Sequence, residues 1–281
     1  MSIVINTNVS SILVQRSLQQ STSAISQSLS KLSSGYRITK AADDAAGLTI
    51  SESLKSQSRG AQVAANNAQT GINLLQTAEG DLSIIQDNLQ RIRDLSVQAA
   101  NGTNGTAERN AIKSEVDQRV NEINRIASAS SFNAIKLLDG TSSTLSLQIG
   151  TKSDTELNAI SLTEGTNPLG DASASALGIS DIDSAFASSS AAGSFISSVD
   201  TALSSVSARR STIGSLQNRL ESAITSLNIQ YENMSASESR IRDVDVAKEA
   251  ATLTRNQILQ QASATLLAQA NQAPAVALSL I

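Results

Sequence analysis

Apolar residues recur at steps of three and four along most of this chain, the spacing that places side chains on one face of an α-helix. The longest such run lies in the C-terminal third, where only Arg210 and Gln217 interrupt it with polar side chains. A heptad pattern sustained over this length favours a coiled coil over an ordinary amphipathic helix. Its positions are Ile196, Val199, Leu203, Val206, Arg210, Ile213, Gln217, Leu220, Ile224, Leu227, Tyr231 and Met234.

Two more helices are predicted in the N-terminal half. The first has its packing face at Leu75, Leu82, Ile85, Leu89, Ile92 and Ser96. It should end within residues 101–105, because the two Asn-Gly pairs there are strong helix breakers. We expect the second helix to start directly afterwards, with the Thr106 hydroxyl capping its first turn. The apolar face of this second helix is Ile112, Val116, Val120, Ile123 and Ala127.

The pattern changes after residue 133. Leu145, Leu147 and Ile149 alternate with polar residues, and residues 159–162 form a second short extended run. We therefore predict a small β-hairpin over residues 145–162. Residues 165–193 are rich in Ser, Ala, Gly and Asp with little apolar periodicity, so most of this stretch is interpreted as a connector.

Both ends of the chain are apolar. One helix face near the N-terminus comprises Leu18, Thr22, Ile25, Leu29, Leu32 and Tyr36, and one near the C-terminus comprises Leu259, Ala262, Leu266 and Ala270. Residues 274–281 are almost wholly apolar, although a chain terminus is normally polar and frayed. We therefore expect other protein surfaces to cover both ends.

Together these elements predict a mainly α fold. It is expected to be an elongated antiparallel helical hairpin or coiled-coil bundle with a small β-hairpin, in which the terminal helices pair at one end. The composition agrees, since only two prolines among 281 residues leave room for very long helices. Aromatic residues make up 2% of the chain, so aliphatic side chains must supply the core.

Composition also argues against several classes of function. A net charge of −4 speaks against nucleic acid as the main partner. No apolar stretch approaches the roughly 20 residues that span a bilayer, so no membrane insertion is expected. The chain has neither His nor Cys, the residues on which zinc sites depend, and we expect no catalytic residue, metal or cofactor. The acidic pair Asp43-Asp44 is expected to cap a helix or meet arginines.

Motifs at both ends resemble those of the bacterial flagellins. On the N-terminal side they are residues 5–8 (INTN), 32–38 (LSSGYRI) and 41–48 (AADDAAGL), and on the C-terminal side residues 258–262 (ILQQA) and 267–272 (LAQANQ). The two sets stand in the family's order at opposite ends, and the resemblance covers most of the chain. The short middle leaves no room for the large variable outer domains of longer flagellins, so the chain resembles a short form that gives a thin, smooth filament.

The resemblance implies a structural subunit, not an enzyme, that self-polymerises outside the cell into the flagellar filament, the helical propeller of swimming. It implies an N-terminal helical arm (1–40), a helical core domain in two parts (41–178 and 194–241), a short variable connector (179–193) and a C-terminal arm (242–281), with both arms in the inner tubes. The expected polymer interface is Ile5, Leu18, Ile25, Leu29, Leu32, Leu259, Leu266, Val276, Leu278, Leu280 and Ile281.

The same resemblance implies partners. They are many further copies of the same protein, an export chaperone, and cap and hook-junction proteins. Export would run unfolded through the flagellar type III apparatus, which agrees with the lack of a visible cleavable signal. Two alternatives stay open: a hook–filament junction or other secreted coiled-coil component, and a host-contact adhesin or receptor ligand.

Residues 90–95 resemble the segment through which some flagellins are recognised by the flagellin-sensing Toll-like receptor of animal hosts. By that motif Arg91, Leu95 and Glu115 would be receptor contacts. The alternative is that this helix face packs against neighbouring subunits, because Arg91 and Leu95 stand four residues apart and share one side of a helix.

Overall fold

The computed structural model describes residues 7–141, 145–154, 158–162 and 167–278, with side chains as far as residue 272. The helices are α1 (Val9–Ser34), α2 (Ala45–Ala100), α3 (Thr106–Ala129), α4 (Ile182–Ala185), α5 (Ser189–Arg242) and α6 (Val246–Leu278). The strands are β1 (Ser131–Phe132), β2 (Ile135–Lys136), β3 (Ser146–Gln148) and β4 (Ala159–Ser161). The predicted mainly α class is confirmed.

Two compact units make up the protein. The terminal unit comprises residues 1–58 and 232–281, and the central unit comprises residues 59–231. Within the described residues, no helix combines the length and the apolar character that crossing a bilayer requires.

The core of the central unit lies between α2 and α5. The predicted packing face of α2 is confirmed, since all its members are buried: Leu75, Leu82, Ile85, Leu89, Ile92 and Ser96. On α5 Val199, Val206, Ile213, Leu220 and Leu227 are buried as predicted, and Leu203 and Ile224 are partly buried against the same core. Phe195, Ala202 and Leu216 are also buried, each one residue before a predicted position. The real contact face of α5 is therefore slightly rotated from the predicted one.

The two polar interruptions of the α5 pattern have matching partners on α2. Arg210 donates from Nη1 to Oε1 of Gln86 at 2.7 Å, and Gln217 donates to Oε2 of Glu79 at 3.2 Å. The two contacts are seven residues apart on each helix, and the residue number falls along α2 as it rises along α5. The contacts therefore favour this antiparallel register, because a shift of either helix would separate these polar groups from their partners.

Helix α3 begins where the sequence predicts, and its apolar face is confirmed: Ile112, Val116, Val120, Ile123 and Ala127 are all buried. The prediction that Thr106 caps this helix is wrong. Thr106 is the first helical residue, and the N-cap position belongs to Gly105, which offers no capping group of its own. Helix α2 ends at Ala100, directly before the Asn-Gly pairs, as predicted.

The predicted β-hairpin is confirmed as the antiparallel pair β3–β4, in which Leu147 faces Ile160 across the strands. The hairpin lies directly on α2. A Cβ at Gly71 would come within 2.0 Å of the Leu147 Cδ1 atom, so only glycine allows this approach without moving that leucine.

A second hairpin, β1–β2, was missed by the sequence prediction. Its turn consists of Asn133 and Ala134, which both have positive φ angles, of 48° and 65°. This conformation is the one that two-residue hairpin turns require. Asparagine adopts it readily but alanine does so rarely. Only one of the two turn residues is therefore of a type that predicts such a turn.

The stretch interpreted as a connector also contributes to the core. Its buried residues include Leu169, Ala172, Ala174, Leu177, Ile179 and Phe186. Arg209 on α5 holds the stretch in place by donating from Nη1 to the carbonyl oxygens of Gly170 at 3.0 Å and Asp171 at 2.9 Å. Burial lowers the pKa of the Arg209 guanidinium. The stretch packs through scattered aliphatic residues rather than through a regular element, and periodicity does not detect such packing.

Candidate assembly interface

The candidate site lies in the terminal unit, where α1 and α6 pack against each other. Asn8 donates from Nδ2 to the carbonyl of Ala270 at 2.7 Å, and Ser28 donates from Oγ to Oε1 of Glu249 at 2.6 Å. The residue number on α6 falls as the number on α1 rises, so the two helices are antiparallel. The predicted pairing of the terminal helices is therefore confirmed.

The contact face of α1 alternates aliphatic and small polar residues. Leu18, Ile25 and Leu32 are half-buried, and Ser21 and Ser28, which alternate with them, are buried. The prediction also placed Thr22 and Leu29 on this face, but both are exposed, although the Thr22 hydroxyl still contacts α6. Small serine side chains allow the helices to approach closely, at the cost of the apolar burial that leucine would supply.

Helix α6 mirrors this arrangement. Its side toward α1 contains the buried Ser263, the half-buried Leu267, and Gln260, which donates to the Thr22 hydroxyl at 3.0 Å. The predicted apolar face lies mostly elsewhere: Leu259 is 48% exposed and Leu266 is 54% exposed. The α1–α6 contact therefore leaves much of the apolar surface of both helices uncovered.

Several large apolar side chains of this helix pair remain exposed. On α1 they are Val9, Ile12, Leu13 and Leu29, and on α6 they are Val246, Ile258, Leu259 and Leu266. Leu13 and Leu266 line a shared groove of about 310 Å³, together with Ser17 and Ser263. These exposed side chains make the helix pair the candidate interaction surface of the protein.

A compact joint connects the two terminal helices to the rest of their unit. Gly35 ends α1 in the left-handed conformation, with φ of 75°, and its carbonyl accepts from the Val244 N–H at 3.0 Å. Tyr36 pairs with Asp243 as an isolated antiparallel bridge. The Arg242 guanidinium carbon lies 4.5 Å from the Tyr36 ring centroid, and its Nη1 donates to Glu52 at 2.6 Å. The motif at residues 32–38 therefore forms one side of this joint.

The acidic pair in the second motif has structural roles, as predicted. Asp44 accepts from the Gly47 N–H at 2.8 Å and so caps the first turn of α2. Asp43 accepts from the Thr39 hydroxyl at 2.9 Å and from the N–H groups of Thr39 and Lys40, and these hydrogen bonds lower its pKa. Their stabilising effect is complete above the ordinary carboxyl pKa and is lost as the pH falls through the lowered one.

The three residues matched to receptor recognition lie in the central unit and differ in accessibility. Arg91 on α2 and Glu115 on α3 are partly exposed and form a salt bridge of 2.9 Å. Leu95 is only 2% exposed and belongs to the hydrophobic core. The structure thus brings Arg91 and Glu115 together on the surface and places Leu95 beneath it.

The structure does not describe every residue of the expected polymer interface. Ile5, Leu280 and Ile281 lie outside the described residues, and the side chains of Val276 and Leu278 do so as well. The backbone of α6 continues through Pro274 to Leu278.

Comparison with known proteins agrees with this geometry. Residues 5–143 match the bacterial flagellin N-terminal helical region, and residues 196–281 match the bacterial flagellin C-terminal helical region. The protein is 44% identical to a flagellin of Halalkalibacterium halodurans over 278 residues, with 99% of each sequence covered. It is 41% identical to a flagellin of Bacillus subtilis over 301 residues, again with 99% of each covered.

A solved structure described as a putative flagellar hook-associated protein from Vibrio parahaemolyticus has a similar fold. The TM-score is 0.56 at 14% identity, and the match covers 72% of this protein and 100% of that one. At this identity the likeness concerns the fold alone.

A protein whose terminal helices pair and expose apolar residues, whose central unit is helical, and which carries both terminal family regions in order is a structural protein of the flagellum. The chain belongs to the bacterial flagellin family. It is a subunit of the flagellar filament, which is a homopolymer outside the cell and the organelle of swimming, and it is a structural protein rather than an enzyme.

Proposed function

We propose that the uncovered apolar residues of α1 and α6 form the contact through which the subunits polymerise. The single observation that carries the proposal is the exposure of Leu29, Leu259 and Leu266, large apolar side chains that the pairing of α1 with α6 leaves about half uncovered. Further copies of the same pair would cover them. Leu18, Ile25 and Leu32, which are half-buried, would become fully buried in the same step.

The pairing of α1 with α6 is proposed to be weak before assembly. Its inner face relies on serines and on partly buried or exposed side-chain hydrogen bonds, and each such bond contributes only about 1 kcal/mol net. Ordering each helical residue costs a similar amount of backbone entropy. Burial of the outward leucines against other subunits would supply the missing stabilisation, so ordering of the arms would accompany polymerisation.

We also propose the division of the chain that the family resemblance implies. The arms would be residues 1–40 and 242–281, the core domain residues 41–178 and 194–241, and the variable connector residues 179–193. The joint around Gly35, Tyr36 and Arg242 supports the two inner boundaries, because it lies within a few residues of both.

Deletion of residues 274–281 tests the assembly role. The shortened protein is expected to keep a folded central unit and to lose polymerisation, because the apolar terminus would contribute to the shared interface. Circular dichroism and urea unfolding would follow the fold, and electron microscopy of the purified protein under assembly conditions would follow the polymer. The full-length protein is the matched control. Normal filaments from the shortened protein would show that this terminus is dispensable for assembly.

Further partners follow from the same proposal. An export chaperone, a cap and hook-junction proteins would each bind the terminal helices or their polymerised form. A chaperone would cover the apolar faces of α1 and α6 that are exposed in the single subunit, including Leu259 and Leu266.

Two experiments distinguish the alternative functions, a hook–filament junction component and a host-contact adhesin. A junction component would not form long filaments alone, and an adhesin could be deleted without loss of swimming.

For host recognition, we propose Arg91 and Glu115 as surface contacts of the flagellin-sensing Toll-like receptor. They are adjacent and partly exposed, whereas Leu95 would act by supporting the helix from the core. Arg91→Ala is expected to reduce receptor signalling while filaments form normally, because the substitution removes a surface charge and no core contact. Arg125→Ala, which removes another exposed, ion-paired arginine, is the control. If Arg91→Ala and Arg125→Ala gave equal receptor signalling, Arg91 would not be a receptor contact.

A further inference from the structure

The turn between α2 and α3 contains two Asn-Gly dipeptides in very different surroundings. Asn101 and Gly102 are both exposed, whereas Asn104 is half-buried. Among the described residues, Asn101 Nδ2 and the Gly102 N–H have no hydrogen-bond partner. Asn101 Oδ1 accepts from the Thr103 N–H at 3.2 Å. Asn101 thus keeps its amide nitrogen free while its amide carbonyl is polarised by a backbone donor.

The side-chain amide of Asn104, by contrast, is held by a hydrogen bond. Its Nδ2 donates to the carbonyl of Gln98 at 2.5 Å, and its backbone carbonyl accepts from Nη1 of Arg109 at 2.7 Å. The backbone carbonyl of Asn101 is also held, since it accepts from the Asn104 N–H at 3.1 Å, so the difference lies in the side-chain amide nitrogen. Rotation of the Asn104 amide toward the next backbone nitrogen requires loss of the bond to Gln98.

We propose that Asn101 is a site of spontaneous deamidation and that the fold protects Asn104 from the same reaction. The Gly102 nitrogen attacks Cγ of Asn101, a new bond between these two atoms closes a succinimide ring, and the bond from Cγ to Nδ2 breaks. The proton of the Gly102 nitrogen leaves with the departing ammonia. Water then adds to either carbonyl of the ring and opens it to aspartate or isoaspartate, with no oxidation or reduction in either step.

The substrate of this modification is the folded protein itself, and the reaction does not depend on polymerisation. Each event adds one negative charge directly after Ala100, the last residue of α2. A carboxylate beside the free carbonyls of a helix C-terminus is unfavourable. Ageing of the protein would therefore loosen the last turn of α2 and leave α3, whose first turn lies beyond Asn104, unaffected.

The test is mass spectrometry of full-length protein incubated at mildly alkaline pH. Both asparagines lie in the tryptic peptide 94–109, and fragmentation distinguishes them. In the folded protein Asn101 is expected to convert about fivefold faster than Asn104, the factor that one net hydrogen bond provides. In urea the two rates should become nearly equal, because each asparagine then precedes an equally accessible glycine. Equal rates in the folded protein would overturn the proposal, as would faster conversion of Asn104.

Two glycine variants complete the test. Gly102→Ala adds a Cβ in open space, so it should leave the fold intact and strongly slow conversion of Asn101 by hindering the attacking nitrogen. Gly105→Ala is the matched control, since its Cβ meets only the flexible carboxylate of Glu108. Conversion of Asn101 should continue unchanged in that variant. Undiminished conversion in Gly102→Ala would contradict the proposed route.

Discussion

Leu266→Asp is expected to leave the single subunit folded and to prevent filament formation. Leu266 is 54% exposed on α6, so a carboxylate there stays hydrated in the monomer, and the free energy of unfolding should change by less than about 0.5 kcal/mol. In the proposed polymer the same position is covered by other subunits. Burying an unpaired carboxylate costs several kcal/mol, and about 3 kcal/mol raises the critical concentration for assembly roughly a hundredfold.

Sedimentation of polymer over a range of protein concentrations measures this shift. Leu266→Met is the matched control, because it keeps an apolar residue of similar volume, and it should polymerise near the concentration of the unaltered protein. Leu259→Asp, another uncovered position of α6, should behave like Leu266→Asp. If the aspartate variants polymerised at the normal concentration, the exposed face of α6 would not be the interface.

The contrast between α2 and α6 shows why the sequence predicted one contact face and missed the other. Along α2 the positions of Leu75, Leu82 and Leu89 repeat without interruption, and the partner surface lies within the same subunit, so apolar periodicity and burial coincide. Along α6 the largest apolar residues are exposed in the single subunit, and in the proposed polymer other copies cover them. Periodicity identifies apolar residues but does not show which partner covers them.

The buried serines of α1 also show that apolar periodicity alone does not identify a contact face. Ser21 and Ser28 are seven residues apart, as contact positions of a coiled coil should be, and Leu18, Ile25 and Leu32 stand between and beside them at the same spacing. A search for heptad positions shared by small and aliphatic residues would have found this face. Hydrophobicity alone favoured Leu29, which the structure leaves 52% exposed.

Other missed features depend on single polar contacts between distant residues. Arg209 anchors the carbonyls of Gly170 and Asp171, and without that contact the sequence before α4 indicates only a loop. Arg242 stacks on Tyr36, which is more than two hundred positions away in sequence. No local propensity encodes such pairings, because they depend on the fold that brings the residues together. By contrast, the end of α2 and the capping role of the acidic pair were predictable, since both follow from local backbone chemistry.

Leu82→Ala is expected to lower the free energy of unfolding of the central unit by about 2–5 kcal/mol, the usual effect of truncating a buried leucine. Leu82 is fully buried on α2, and the truncation leaves a cavity in the middle of the core that α2 and α5 share. Urea unfolding followed by circular dichroism measures the loss. Ile84→Ala, two residues further on and 49% exposed, is the control and should cost well under 1 kcal/mol.

Comparing the two substitutions separates folding from assembly. Leu82 lies in the central core and Leu266 on the uncovered face of α6, so Leu82→Ala should still polymerise at low temperature, where the weakened unit remains folded. Its filaments should melt earlier on heating than those of the unaltered protein. Leu266→Asp should show the opposite behaviour, with normal unfolding and, at every temperature, no polymer at concentrations where the unaltered protein assembles. Loss of polymer from Leu82→Ala while the subunit is still folded would mean that the central core shapes the interface directly, and the proposed confinement of assembly to the terminal helices would then be wrong.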